Sequence, residues 1–286
     1  MPANLERMNN PDHHYFPFIQ DEKQLADIIA NIRQNVSDYV TKSRLKSLVL
    51  GISGGIDSAL CAALLSPVCE QLGIPLIGRS IAIETNGKDE IERSLCVGEA
   101  FCHDFQFMDL TCTFHENCKN LISLDDSLLS KMRKGNMKAR MRMIILYDLA
   151  QWRQGMVIST DNYTEFLTGF WTLHGDVGDY APIMNLWKTE VYNVAKKLLQ
   201  ACDEPQKQAL QQCIEAVPVD GLGISNNDCE QLQVANYYEA DSLFYQYFIE
   251  KKEELKTHPL IRRYESSSFK RINPVSISRQ SLTLRS

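Results

Sequence analysis

The chain has no Cys-x-x-Cys pair, although it holds nine cysteines, at 61, 69, 96, 102, 112, 118, 202, 213 and 229. This excludes a zinc knuckle and a dithiol redox pair, and an odd number of scattered thiols points to free, inert side chains in a reducing compartment. No apolar run approaches the roughly 20 residues that a membrane-spanning helix needs. The start, Met1-Pro2-Ala3-Asn4-Leu5-Glu6, carries neither the basic nor the apolar region of a secretion signal. A cytoplasmic protein without a membrane contact is expected. Positive charge is also in short supply, with 30 basic against 36 acidic residues and a formal charge of −6. That is the wrong sign for coating a polyanion, so any nucleic-acid contact would have to be local. Heptads and internal repeats are absent as well. What is present, 286 residues of which 44% are hydrophobic, is enough for a full core and argues against disorder.

Residues 1–20 show no usable period and are expected to form an arm. From Leu25 the apolar residues Leu25, Ile28, Ile29, Ile32, Val36, Tyr39 and Val40 recur at helical spacing. Leu48-Val49-Leu50-Gly51-Ile52 then reads as a strand buried on both faces. A helix over 57–72 follows, then a strand over 76–83, a helix over 88–101, a strand over 105–110, two helices up to 151 and a strand over 156–159. This repeated βα pattern predicts an α/β fold, a doubly wound and mostly parallel sheet flanked by helices. Beyond Lys188 the pattern is helical: to Leu199, over 206–215, and from Asn227 to about Lys256. A single domain is expected over 21–260 with extra C-terminal helices, followed by a mobile basic segment over 261–286.

The strongest local signal is Gly51-Ile52-Ser53-Gly54-Gly55-Ile56-Asp57-Ser58, between a buried strand and a helix. Glycines there let the backbone approach a ligand, and successive N–H groups with the helix N-terminus supply partial positive charge. It is an anion cradle without the Gly-Lys-Ser/Thr of a Walker A loop or the glycine spacing of dinucleotide folds. Asp57 would repel phosphates unless a divalent cation such as Mg2+ lay between them. The alternative is that Asp57 and Ser58 merely cap the helix.

Residues 53–58 resemble the Ser-Gly-Gly-x-Asp-Ser loop of the N-type ATP pyrophosphatases, members of the adenine nucleotide alpha hydrolase-like superfamily that cleave ATP to AMP and pyrophosphate. A second segment narrows this. Residues 131–142 hold six cations and no acid just before an apolar stripe of Met141, Ile144, Ile145 and Leu149. Cations in the first turns of a helix oppose its dipole, a strain that an anionic ligand would relieve; a solvated basic face or an RNA patch are the rival readings. Lys134-Gly135-Asn136-Met137-Lys138-Ala139-Arg140-Met141-Arg142-Met143 is similar to the signature of ammonia-dependent NAD synthetases, and the order Ser159 to Glu165, Thr168-Gly169-Phe170, Gly175-Asp176, Pro182-Ile183 and Lys188 agrees with it.

The resemblance, over about residues 45–275, implies ATP-dependent amidation of deamido-NAD through an adenylylated intermediate. It implies that residues 51–58, Thr160 and Lys188 bind ATP, that Asp57 and Glu165 hold Mg2+, and that Asp57 and Lys188 serve catalysis. Asn136, Arg140, Tyr147, Asp179 and Lys270 would bind deamido-NAD, with a homodimer formed along the helix bearing Arg140. Departures stand at Leu173 in place of a lysine, Val219 in place of a threonine and Phe269 in place of a histidine. With no room beside this fold for a glutaminase domain, free ammonia is the expected donor. A tRNA-modifying relative and a non-catalytic ATP sensor are the alternatives.

Overall fold

The computed structural model describes residues 18–84, 86–121, 123–218 and 227–283. Its centre is a four-stranded sheet in the order β3-β2-β1-β4, every neighbouring pair parallel. The strands are β1 Leu48–Gly51, β2 Leu76–Ala82, β3 Asp104–Asp109 and β4 Met156–Ile158. Successive side chains of a strand point to opposite faces, so Leu48 and Leu50 enter one core with Met156 and Ile158, and Val49 enters another with Ile77 and Val157. The uninterrupted apolar run of β1 is thereby explained.

The first core is covered by α1 Glu22–Ser43, α2 Ile56–Leu72, α3 Lys88–Phe101, α7 Lys188–Leu198 and α8 Glu204–Glu215. The second is covered by α4 Thr111–Cys118 and the long α5 Leu128–Trp152. Helix α2 is buried nearly all round, with Ala59 to Leu65 at most 4% exposed, because α1, α7 and α8 pack on the side away from the sheet. Cys61 and Cys69 lie in this helix, and all nine cysteines are free.

A third apolar cluster joins α6 Tyr163–Thr168 to a C-terminal helical layer of α9 Asp228–Leu232, α10 Tyr237–Phe248 and α11 Pro259–Ser266. The single helix expected over 227–256 is broken. Asn227 and Asn236 each accept the N–H three residues on, from Glu230 and Glu239, and so start separate helices. Gln233, at φ 57°, ends the first of them.

Where the sequence suggested a mobile basic tail, residues 259–271 form α11 and the short α12 Ser268–Arg271, with Leu260 and Ile261 fully buried. A further short helix, α13, spans Arg279–Thr283. Of the expected arm, residues 1–17 lie outside the described residues, as does Val219. Phe18 lies edge-on to Trp187 at 6.0 Å.

The chain runs outward from β1 to β3 and then returns to place β4 on the other side of β1. Where strand order reverses, the loops leaving adjacent carboxyl ends diverge and open a crevice. The glycine turn after β1 and the segment 159–162 after β4 form its two lips.

Candidate active site

The turn between β1 and α2 is built around Gly54, at φ 82°, where an added Cβ would stand 2.3 Å from the Glu90 carbonyl oxygen. Only glycine fits there. The Gly54 carbonyl accepts Arg93 Nε at 3.0 Å and the Cys213 thiol at 3.4 Å, so α3 and α8 fix its peptide plane. Ser58 Oγ donates to the Gly55 carbonyl at 3.0 Å and accepts the Ser53 N–H at 3.2 Å. Above the turn stands the N-terminus of the 17-residue α2, an electropositive end suited to phosphate.

Asp57 opens α2 and Glu165 sits in the first turn of α6, yet both meet one ammonium. Lys188 Nζ lies 2.5 Å from Asp57 Oδ2 and 3.1 Å from Glu165 Oε1, and Lys188 is 2% exposed. Asn162 caps α6 by accepting the Glu165 N–H at 3.0 Å and gives its amide to Asp57 Oδ1 at 2.9 Å. One cation among several buried acids leaves an excess of negative charge. Burial, aided by Asp57 and Asp161 and opposed by Lys188, lifts Glu165 to about 8. Burial also lifts Asp161 and Asp176 to about 7. Burial alone would lower the Lys188 pKa, but Asp57 and Glu165 hold it well above its ordinary value.

Among the described residues no group of three or more His, Cys, Asp or Glu side chains is arranged for a metal. Asp57 and Glu165 provide two oxygen ligands only. That suits Mg2+, which takes one or two carboxylates and completes its shell with phosphate oxygens and water.

A cavity of about 360 Å³ runs from this cluster. Gly51, Ile52, Ser53, Gly55, Ile56, Asp57, Thr160, Glu165 and Lys188 line it, together with Asn136 and Lys270. Asn136 accepts the Thr172 hydroxyl at 2.8 Å. Lys270 donates to the carbonyls of Gly169 and Trp171. With Arg263 on the Thr168 carbonyl and Arg271 on that of Leu167, three cations of the C-terminal stretch neutralise the last turn of α6.

The remaining candidates for the acceptor, Arg140, Tyr147 and Asp179, do not line this cavity. They gather on the outer face of α5. Tyr147 Oη donates to Asp179 Oδ1 at 3.0 Å, and Arg140 donates twice to the Leu173 carbonyl, at 3.3 and 3.1 Å. The cations of residues 138–142 do not oppose the helix dipole as expected, because α5 begins at Leu128 and puts them beyond its first turns. Two of these cations are held by partners within the fold, Lys138 buried and Arg142 half-buried at the cavity wall. Lys138 pairs with Glu84 at 3.0 Å over the Phe114 ring, and Arg142 donates to the Ile81 carbonyl and to Asn86.

Arg79, Arg93, Arg142, Asp161 and Asp176 also line the cavity and were not assigned from sequence. Asp161 and Asp176 stood inside blocks already singled out, and the Asn162 to Glu165 spacing of a capping box was legible. Nothing in the sequence pointed to Arg79 or Arg93.

A model of the NAD synthase family matches residues 28–279. The NH(3)-dependent NAD(+) synthetase of Thermococcus sibiricus is 34% identical over 174 residues, 60% of this chain and 65% of its own length. That of Tropheryma whipplei strain Twist is 28% identical over 270 residues, 91% of this chain and 93% of its own. The solved NMN synthetase of Francisella tularensis superposes with a TM-score of 0.70 at 24% identity, over 89% of this chain and 98% of its own, a likeness of fold.

Proposed function

The chain belongs to the NAD synthase family, and from that premise we propose that it amidates a nicotinate-bearing NAD precursor, deamido-NAD, with free ammonia at the expense of ATP. The nicotinate carboxylate attacks the α-phosphorus, pyrophosphate leaves, and ammonia displaces AMP. The observation that carries this reading is the Lys188 ammonium shared by Asp57 and Glu165 beside the glycine turn. Two carboxylates and a cation beside a turn suited to phosphate support a triphosphate tail bound there.

In this reading the N–H groups of residues 51–58 and the α2 N-terminus hold the phosphates, with Thr160 beside them. Lys188 neutralises the departing pyrophosphate. Asp57 and Glu165 would hold Mg2+, which when bound neutralises charge on the phosphate oxygens. Asn136 and Lys270 orient the acceptor inside the cavity. Asp161 and Asp176, acids lifted to about 7 on its wall, suit the protons that ammonium gives up.

Arg140, Tyr147 and Asp179 would reach the far end of the dinucleotide at a homodimer interface along α5. Ile144 and Tyr147, 66% and 40% exposed on that helix, support such a surface. A cytoplasmic setting agrees with the nine free thiols, and among the described residues no helix is long and apolar enough to cross a membrane. Against an RNA clamp, Arg263, Lys270 and Arg271 are committed to carbonyls of residues 167–171.

The test is a steady-state assay with ATP, Mg2+ and ammonium chloride, offering deamido-NAD and nicotinate mononucleotide as separate acceptors. Formation of NAD with AMP and pyrophosphate is expected, falling about 10² to 10³-fold in Asp57→Ala or Glu165→Ala. Turnover of the mononucleotide alone would overturn deamido-NAD as acceptor and leave amidation standing. A salt-sensitive tRNA complex with neither acceptor consumed would overturn both.

A further inference from the structure

Asp241, on α10 in the C-terminal layer, has no exposed surface. Three donors converge on its carboxylate: the Thr164 hydroxyl reaches Oδ1 at 2.5 Å, and the Thr189 N–H and hydroxyl reach Oδ2 at 3.0 and 2.8 Å. The Thr164 hydroxyl, its one proton given to Asp241, accepts the Lys188 N–H at 2.9 Å. Thr164 directly precedes Glu165, and Thr189 directly follows Lys188. A single buried carboxylate thus ties together the first turns of α6 and α7, the two helices that carry the metal-side acid and the phosphate-side cation.

These bonds are additional to the caps. Asn162 already caps α6, and Glu190 takes the Trp187 N–H at 3.0 Å before α7. Helix α6 is only six residues long and cannot hold its orientation by its own hydrogen bonds. Burying an ionisable acid is a poor way to gain packing energy, since an apolar side chain of similar volume often does as well or better. Burial lifts Asp241 to about 6, so near neutral pH it is ionised and can accept on both oxygens.

We infer that Asp241 is a positioning residue for the site, setting the separation of Glu165 and Lys188 through Thr164 and Thr189. The inference rests on the amidation proposed above for its catalytic consequence, but its geometric content is independent of the acceptor. Only a carboxylate satisfies all three donors. An amide offers one oxygen and one donor group, so Asp241→Asn sets a donor against either Thr164 or Thr189. Thr164→Val keeps the shape and removes the hydroxyl that links Asp241 to Lys188.

The experiment compares the full-length chain with Asp241→Asn, Thr164→Val, the double variant and Thr164→Ser. Mg2+-ATP binding is measured by calorimetry and NAD formation by steady-state kinetics. In both single variants the Kd for Mg2+-ATP is expected to rise roughly tenfold at undiminished stoichiometry, and kcat to fall about 10- to 100-fold, the range that misplacement of reacting groups by about 1 Å produces. The double variant should be no worse than the poorer single one. Thr164→Ser should restore both quantities. A purely structural role would lower the melting temperature and the binding stoichiometry and leave Kd unchanged, which would overturn the inference, as would additive effects in the double variant. If the unaltered chain binds Mg2+-ATP but forms no NAD, the amidation fails, and the Kd comparison still decides the role of Asp241.

Discussion

At the scale of single residues the decisive group is Lys188. It is nearly buried between two carboxylates and lies 4.9 Å from the Tyr237 ring centroid. In Lys188→Met the two acids would face each other without a cation, and breaking a buried pair from one side costs about 3–5 kcal/mol. The melting temperature of the metal-free variant should therefore drop. Millimolar Mg2+ should raise it more than it raises that of the unaltered chain, because the metal replaces the missing charge; equal shifts in both proteins would contradict the assignment of Asp57 and Glu165. NAD formation should fall about 10² to 10³-fold with or without that recovery. Asp57, Glu165 and Lys188 were legible in the sequence because each stands in a short block with a recognisable neighbourhood. Arg93 and Asp241 were not legible, because what makes them matter is a partner far away in the chain, the Gly54 carbonyl for one and Thr164 for the other. A lone arginine or aspartate on a helix carries no mark of such a partner.

At the scale of elements, strands and helices of the sheet half were legible to within a residue or two, since continuous apolar runs and helical spacing are local properties. The C-terminal layer was less so. An apolar periodicity from Asn227 onward suggested one helix, whereas Asn227 and Asn236, each three residues ahead of a glutamate, start two. That spacing is a visible helix-start signal, and the periodicity masked it. The basic stretch before Met143 misled for another reason, because charge alone does not tell a buried cation from a ligand-facing one, and Lys138 is 1% exposed. The glycine turn was read correctly as an element, and the structure adds why it tolerates no side chain. In Gly54→Ala the turn must move off Glu90 or unwind the start of α3, since the clash is with backbone. The expected outcome is loss of measurable ATP binding by calorimetry, with far-ultraviolet circular dichroism altered by no more than the first turn of α3. An alanine variant that bound ATP within about threefold of the unaltered chain would mean that the left-handed turn is not required for the phosphates.

At the scale of the whole molecule, the fold raises the pKa of several buried acids, some lining the active crevice and some behind it. Burial lifts Asp161, Asp176 and Glu190 to about 7, Glu165 to about 8 and Asp241 to about 6, while in the unfolded chain such groups titrate near about 4. Between those limits the folded protein binds more protons than the unfolded one, so its stability falls as pH rises. Each group contributes its full share below its unfolded pKa and has lost it once the pH passes its folded pKa. From these groups the metal-free, nucleotide-free protein should therefore melt progressively lower as the pH rises from about 4 to about 8.5. Glu165→Gln, which cannot ionise, should flatten the upper part of that decline. Mg2+ with ATP requires the ionised form of Glu165, so the rise in melting temperature that they produce should grow over the same interval. A melting temperature constant from pH 5 to 8.5, measured by scanning calorimetry in the presence of a chelator, would show that these acids are not held protonated. The crevice would then be preorganised for the metal and would have no protons to give up when the metal binds.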